Sequence, residues 1–192
     1  KALEIMRDHE DVPFILVSGS VQEDIVIDLL KLGVHDFISK DNMGRLAFAI
    51  KREMIEANNR IQHKIDLDNM FNMTIMAWGK AMELRDVYTH NHTSRVTDLT
   101  LKLTHLLDVP STQFQNIYRG SLLHDIGKMG IPDMILLKQD VLSPQEWNIM
   151  RMHPSIAHNM LSNIPYIGDV INIPYCHHEK WDGTGYPRGL LK

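Results

Sequence analysis

Residues 177 to 187 read HHEKWDGTGYP: two adjacent histidines, an acid, and a turn carrying two glycines, a tyrosine and a proline. Glycine and proline are what a turn needs; a histidine pair is not. Together with His92, His124, Asp125 and His153, the pair His177 and His178 offers imidazole nitrogen and carboxylate oxygen from six side chains. Singly, each has a plainer role. His92 lies on an apolar helical stripe, where a lone histidine is more often a hydrogen-bonded core residue. His124-Asp125 reads as a polar pair near a helix end, His153 as a cap or surface residue before a proline, and His177-His178 as exposed. Jointly they suit divalent iron, manganese or zinc. Asp125 has two oxygens and can bridge two ions, and a two-metal site polarises a phosphoryl oxygen and makes hydroxide from water near neutral pH. Lys128, one helical turn beyond His124, can face the same site, and its compact ammonium suits a phosphate oxygen.

Competing chemistries lack their signatures. Cysteine-based zinc spacing is absent, and the single cysteine, Cys176, reads as a small buried thiol ahead of a soft ligand. No nucleophile elbow and no glycine-rich phosphate loop before a helix appear. His90 and His158 lie near the candidates but fit the scheme less well.

The elements that must position these residues fall into two styles. FILVS (14–18) is an apolar run expected to be a strand buried on both faces. EDIVIDLLKLG reads as a helix stopped by Gly33, and HDFISK as a second strand ending in Lys40. Strand, helix, strand predicts a parallel βαβ unit with a right-handed crossover. From Leu46 to about Gly79 a helix is expected, with Ala47, Ile50, Met54, Ala57, Ile61, Ile65 and Asp68 three or four apart. That narrow stripe suits either a linker helix pairing with a second copy or a helix lying against its own domain. Beyond it the chain reads as all-helical: residues 82 to 107 with a stripe at His92, Val96, Leu99, Leu103 and Leu106, then 112 to 126. A further helix starts at Ser143-Pro144-Gln145-Glu146, with Ser143 as N-cap, and is expected to kink at His153-Pro154.

The 192 residues suffice for one large or two small domains; 44% are hydrophobic and 23% charged, ordinary for a soluble protein. A net charge of -4 gives no general pull toward nucleic acid or an anionic membrane. One cysteine fits a reducing cytoplasm, and no apolar run is long enough to span a bilayer. Lys1 falls inside a helical stretch, KALEIMRDHE, and Lys192 closely follows the Gly-Tyr-Pro, so a fragment of a longer protein is expected.

HDIGK at 124–128 followed by HHEKWDGTGYP resembles the HD-GYP family of HD phosphohydrolases. The likeness extends through ELRDVYTHNHTSRV (83–96), LLHDIGKMGIPDMIL (122–136), SPQEWNIMRMHP (143–154) and HHEKWDGTGYPRGL (177–190), most of residues 71 to 192. It implies an all-helical domain hydrolysing cyclic di-GMP to pGpG and often GMP with two or three metals, commonly iron or manganese. His92, His124, Asp125, His153, His177 and His178 match the family's metal ligands, and Lys128 the lysine on the scissile phosphate. Gly185, Tyr186 and Pro187 match the motif that lines the substrate pocket and contacts partner proteins. Where three-metal members carry a glutamate, this chain has Tyr88, which implies two metals. The family's last ligand, an aspartate, lies downstream of the segment given, so the fragment is expected to be incomplete where its parent is an active enzyme.

The front is similar to the C-terminal half of a response-regulator receiver domain, on PFILVSGS and GVHDFISKDN. Ser18 matches its switch hydroxyl and Lys40 the lysine that contacts the phosphoryl group; the proline usual after that lysine is Asp41 here. The expected architecture is then an α/β receiver fragment (1–45), a linker helix (46–70) and an all-α domain (71–192). The implied partners are cyclic di-GMP, a cognate histidine kinase, diguanylate cyclase domains and a second copy of the chain. The alternative is an inactive cyclic di-GMP sensor or docking module, or a phosphohydrolase for another nucleotide.

Overall fold

A computed structural model of the chain describes residues 12–19, 23–86 and 91–191. The expected helix over 1–10, Tyr88 and His90 lie outside the described residues. The chain divides into two compact units, Lys1–Met70 and Phe71–Lys192.

In the first unit, strands β1 (Ile15–Ser18) and β2 (Asp36–Ser39) flank helix α1 (Glu23–Lys31). They pair in parallel, Ile15 opposite Asp36 and Ser18 opposite Ser39. Glycine stops α1 as the sequence predicts: Gly33 has φ 101°, its N–H donates to Leu30, and the Val34 N–H donates to Leu29. β1 is not buried on both faces; all four residues are half-buried, and the described sheet has two strands. Val34, Ile38, Ala49 and Ala57 form the buried centre of this unit.

Helix α2 (Leu46–Arg85) runs for 40 residues, about 60 Å at 1.5 Å per residue. It passes straight through Gly79. A Cβ there would lie 3.0 Å from the carbonyl of Leu122, so the glycine serves close helix packing, not a stop. Of the expected apolar stripe only Ala57 is buried; Ala47, Ile50, Met54, Ile61 and Ile65 are exposed. The face turned inward carries Ala49, Glu53 and Ala57. The helix therefore lies against its own unit, but through this face and not through the expected stripe.

The second unit is helical: α3 (His92–Leu106), α4 (Phe114–Leu123), α5 (Asp133–Leu136), α6 (Pro144–Met150), α7 (His153–Leu161) and α8 (Asn172–Cys176), with a 3-10 segment at Ile126–Gly130. Its core gathers Ile75 and Met82 of α2 with Leu123, Ile126, Ile131 and Leu161. The single helix expected over 82 to 107 is divided, since 82–85 complete α2 and α3 starts at His92. Its stripe at Leu99, Leu103 and Leu106 is exposed, and the buried residues of α3 are Thr97 and Thr104.

Two further expectations change for local reasons. The helix expected over 112 to 126 stops at Leu123. A continuing helix would give the Ser121 carbonyl to the Asp125 N–H; instead that carbonyl accepts from His124 Nδ1 at 2.8 Å. The helix from Ser143 has the predicted capping box: Ser143 Oγ accepts the Glu146 N–H at 3.3 Å, and Glu146 Oε2 accepts the Ser143 N–H at 2.7 Å. It does not kink at His153-Pro154 but ends at Met150, and Pro154 stands in the first turn of a new helix, where its missing N–H leaves no bond unmade. No helix of the described residues is long and apolar enough to cross a membrane.

Candidate metal centre

Three of the candidate histidines are anchored the same way. His124 follows α4 and donates Nδ1–H to Ser121 O (2.8 Å). His153 opens α7 and donates to Met150 O (2.9 Å). His177 follows α8 and donates to Pro174 O (3.0 Å). In each case the acceptor is the carbonyl three residues back, one of those a helix end leaves without an intrahelical partner. A carbonyl only accepts, so Nδ1 carries the proton and Nε2 presents its lone pair. This is how a ligand histidine is oriented and held in one tautomer.

Those Nε2 atoms converge on Asp125. Its Oδ1 lies 3.5 Å from His153 Nε2 and 3.7 Å from His177 Nε2. Its Oδ2 lies 3.2 Å from His124 Nε2 and 2.9 Å from Lys128 Nζ. The six candidates form two groups, His153 with His177 and His178, and His92 with His124 and Asp125, and within each the ligand atoms lie inside 4.8 Å of one another. His153 Nε2 and His177 Nε2 stand only 3.2 Å apart. Two imidazole nitrogens at that distance, beside a carboxylate oxygen, need a proton or a metal ion between them, and three imidazoles with a shared carboxylate suit a divalent metal.

The electrostatics agree. Burial alone would raise the Asp125 carboxyl; its contacts with His124 and His177 and the Lys128 charge hold it well below the usual carboxylate range. Burial lowers His153 to about 4, and burial with the neighbouring His177 lowers His178 to about 4. His92 is also lowered, by burial and by His124. These imidazoles are neutral at pH 7, the form that binds metal. Burial disfavours charge on Lys128, but Asp125 and then Asp86 outweigh it and raise its pKa.

The backbone brings these pieces together through glycine. A Cβ on Gly127 would lie 1.8 Å from the His153 carbonyl oxygen and 2.7 Å from the Ala157 nitrogen. Only a residue without a side chain lets the segment carrying Asp125 and Lys128 lie against the first turn of α7. Lys128 does face Asp125, by way of the 3-10 segment rather than the α-helical turn expected.

The Gly-Tyr-Pro segment folds over Glu179, whose carboxylate accepts the N–H groups of Arg188 (2.6 Å) and Leu190 (2.9 Å). Gly185 packs on backbone: a Cβ would lie 2.3 Å from Lys180 N. Tyr186 stacks on the His178 ring at 4.6 Å and 19°, and half-buried Pro187 follows through a cis peptide. Tyr186 thus supports a candidate ligand directly. Cys176 is half-buried and belongs to neither donor group, and the His158 ring packs on Tyr175. In the other unit, Ser18 and Ser39 are register partners, and exposed Lys40 follows Ser39.

Sequence reasoning assigned no role to Glu83, Arg85 or Asp86. Glu83 is buried at the end of α2 and accepts the Thr93 N–H at 3.0 Å, capping the helix that His92 opens, where Asn91 makes no side-chain cap. Asp86 is buried and lies 3.1 Å from Lys128 Nζ. The readable signal was three charged residues crowded into one helix end just before His92.

Comparison with known proteins places relatives beside this chain. The chain is 44% identical to a cyclic di-GMP phosphodiesterase of Thermotoga maritima over 110 residues, 56% of this chain and 30% of that protein. It is 28% identical to the cyclic di-GMP phosphodiesterase response regulator RpfG of Xanthomonas campestris, over 100% of this chain and 55% of that protein. A 3'3'-cGAMP-specific phosphodiesterase 2 of Vibrio cholerae matches at 36% over 96% of this chain and 33% of that protein. The chain thus spans from under a third to just over half the length of these relatives. The HD domain profile matches residues 79–192, the stretch that holds all six convergent side chains. That profile covers more than half of the chain, and the chain belongs to the HD domain family.

Proposed function

We propose that residues 71–192 are the HD-GYP type of HD domain and hydrolyse cyclic di-GMP to pGpG or GMP with two divalent metals, iron or manganese. One observation carries the reading: the two oxygens of Asp125 face two separate sets of imidazoles, with Lys128 beside one of them. His92, His124 and Asp125 would hold one ion, and His153, His177 and His178 the other, with Asp125 shared. Bound there, the pair supplies a Lewis acid for the phosphoryl oxygen and a hydroxide from water near pH 7. Lys128 offers its ammonium to a phosphate oxygen. The Ser121, Met150 and Pro174 carbonyls fix the imidazole tautomers, and Tyr186 keeps the His178 ring in place. Gly185, Tyr186 and Pro187 form a wall of the substrate pocket.

In the same reading residues 1–45 belong to a receiver domain, with Ser18 as switch hydroxyl and Lys40 as phosphoryl contact. A cognate histidine kinase controls the enzyme by phosphorylation, and the exposed stripe of α2 pairs two copies. The length of the match to a response regulator supports this. A second substrate, 3'3'-cGAMP, is favoured by the likeness over nearly the whole chain to a phosphodiesterase named for it.

The test uses full-length protein loaded anaerobically with iron or manganese, offered each cyclic dinucleotide in turn, with Asp125→Ala as control. Loss of cyclic di-GMP that disappears in the control is expected; preferential loss of 3'3'-cGAMP would move the assignment to that substrate. Metal and dinucleotide binding without turnover would leave a sensor or docking domain.

A further inference from the structure

Lys128 is a flexible side chain in a role that requires a fixed charge. We propose that Arg85 and Asp86, consecutive residues at the end of α2, hold it at its two ends and are positioning residues for its ammonium. This rests on the reading of Lys128 as a phosphate contact.

At the backbone end, the Lys128 carbonyl accepts from Arg85 Nη1 at 3.1 Å as well as from the Ile131 N–H at 3.0 Å. The same guanidinium donates to the carbonyls of Met129 and Ile131, the latter at 2.7 Å. It is itself braced by Asp133, with Nη2 2.7 Å and Nε 3.2 Å from Oδ1. One planar fork therefore binds three carbonyls of residues 128–131. Lysine, with a single point of charge, cannot reproduce that pattern.

At the ammonium end, Asp86 Oδ2 lies 3.1 Å from Lys128 Nζ, and Asp125 Oδ2 lies 2.9 Å away. Asp86 is only 5% exposed, and its N–H continues the helix by donating to Met82 O at 2.9 Å. An ammonium has three donors. Two carboxylates take two of them and hold the stem, which leaves the third to meet a phosphate oxygen. Asp86 thus sets the direction of the charge, and Arg85 sets the height of the backbone that carries it. Because both belong to the end of one helix, the position of that end decides where Lys128 points.

Three measurements on the metal-loaded full-length protein test this. Arg85→Lys is expected to speed hydrogen exchange of the 128–131 amides about tenfold or more, with metal content unchanged. Asp86→Asn is expected to lower kcat on the turned-over dinucleotide about tenfold or more, a typical cost of a misplaced group, with KM and metal content nearly unchanged. In a Lys128→Met background, Asp86→Asn is expected to leave the residual rate as it was, because its effect passes through the lysine. Losses that add in the double variant would overturn the proposal, as would wild-type exchange together with wild-type kcat in the single variants. If the wild-type protein hydrolyses neither dinucleotide, the phosphodiesterase reading fails. The exchange measurement then still decides the backbone clamp, faster exchange supporting it and unchanged exchange refuting it.

Discussion

Each unit buries acids at a junction between elements, and the two clusters are built to opposite ends. In the first, Arg52 lies 2.7 Å from both Asp36 and Glu53, joining β2 to α2. One fork satisfies two carboxylates, and the cluster is closed. In the second, the one carboxylate of Asp125 faces three imidazoles and an ammonium. The imidazoles are already anchored through Nδ1, so their lone pairs are surplus and directed inward. A closed ion pair holds a fold together; convergent lone pairs around a shared carboxylate are arranged to hold something else.

The contrast breaks most sharply at Asp125. Asp125→Asn is expected to lower hydrolysis about 10^2- to 10^3-fold and to reduce bound metal measured by elemental analysis, with little loss of helix. Retained metal and rate would put the second cluster in the same structural class as the first.

Gly127→Ala tests whether the convergence depends on backbone approach. A methyl group overlapping the His153 carbonyl is expected to destabilise the second unit by about 3 kcal/mol or more in denaturant unfolding, since neither backbone segment can give way cheaply.

Arg52→Ala tests the other side. It strands buried Glu53 and Asp36 and is expected to lower the melting temperature of the first unit, while metal content and hydrolysis rate stay at wild-type values. A matching loss of metal would contradict the division of labour.

The smallest effects belong to the cap of α6. Ser143→Ala is expected to cost about 1 kcal/mol. Lys138, with the Ser143 N–H, holds the Glu146 carboxyl at about 2 against an ordinary 4.5. A depressed carboxyl stabilises fully above its unfolded value, so this contribution is present above pH 4.5 and fades as pH falls through about 2. Hydrogen exchange at the start of α6 should follow that window, and in Lys138→Met the contribution should be smaller and its fading complete at higher pH.

Much of this was legible locally. The α6 capping box and the Gly33 stop needed only neighbouring residues, and both stand as read. The parallel pairing of β1 and β2 followed from the βαβ order. Where long-range contact decides, local reading failed. Gly79 reads as a helix end until the Leu122 carbonyl is seen against it, and the leucines of α3 read as core although the buried residues there are Thr97 and Thr104. The end of α4 at Leu123 is instead a local event, where the His124 ring takes the Ser121 carbonyl.

The sequence by itself determined the donor types: six histidine and aspartate side chains with a lysine nearby, at spacings that resemble a metal phosphohydrolase. Only the tertiary structure decided that Asp125 turns Oδ1 toward His153 and His177 and Oδ2 toward His124. It alone brought Glu83, Arg85 and Asp86 from the end of α2 to His92 and Lys128. The physical reason is range. A donor's chemistry resides in its own side chain and its tautomer in a carbonyl three residues back, whereas which donors meet, and where the ammonium stands, are set by groups tens of residues away.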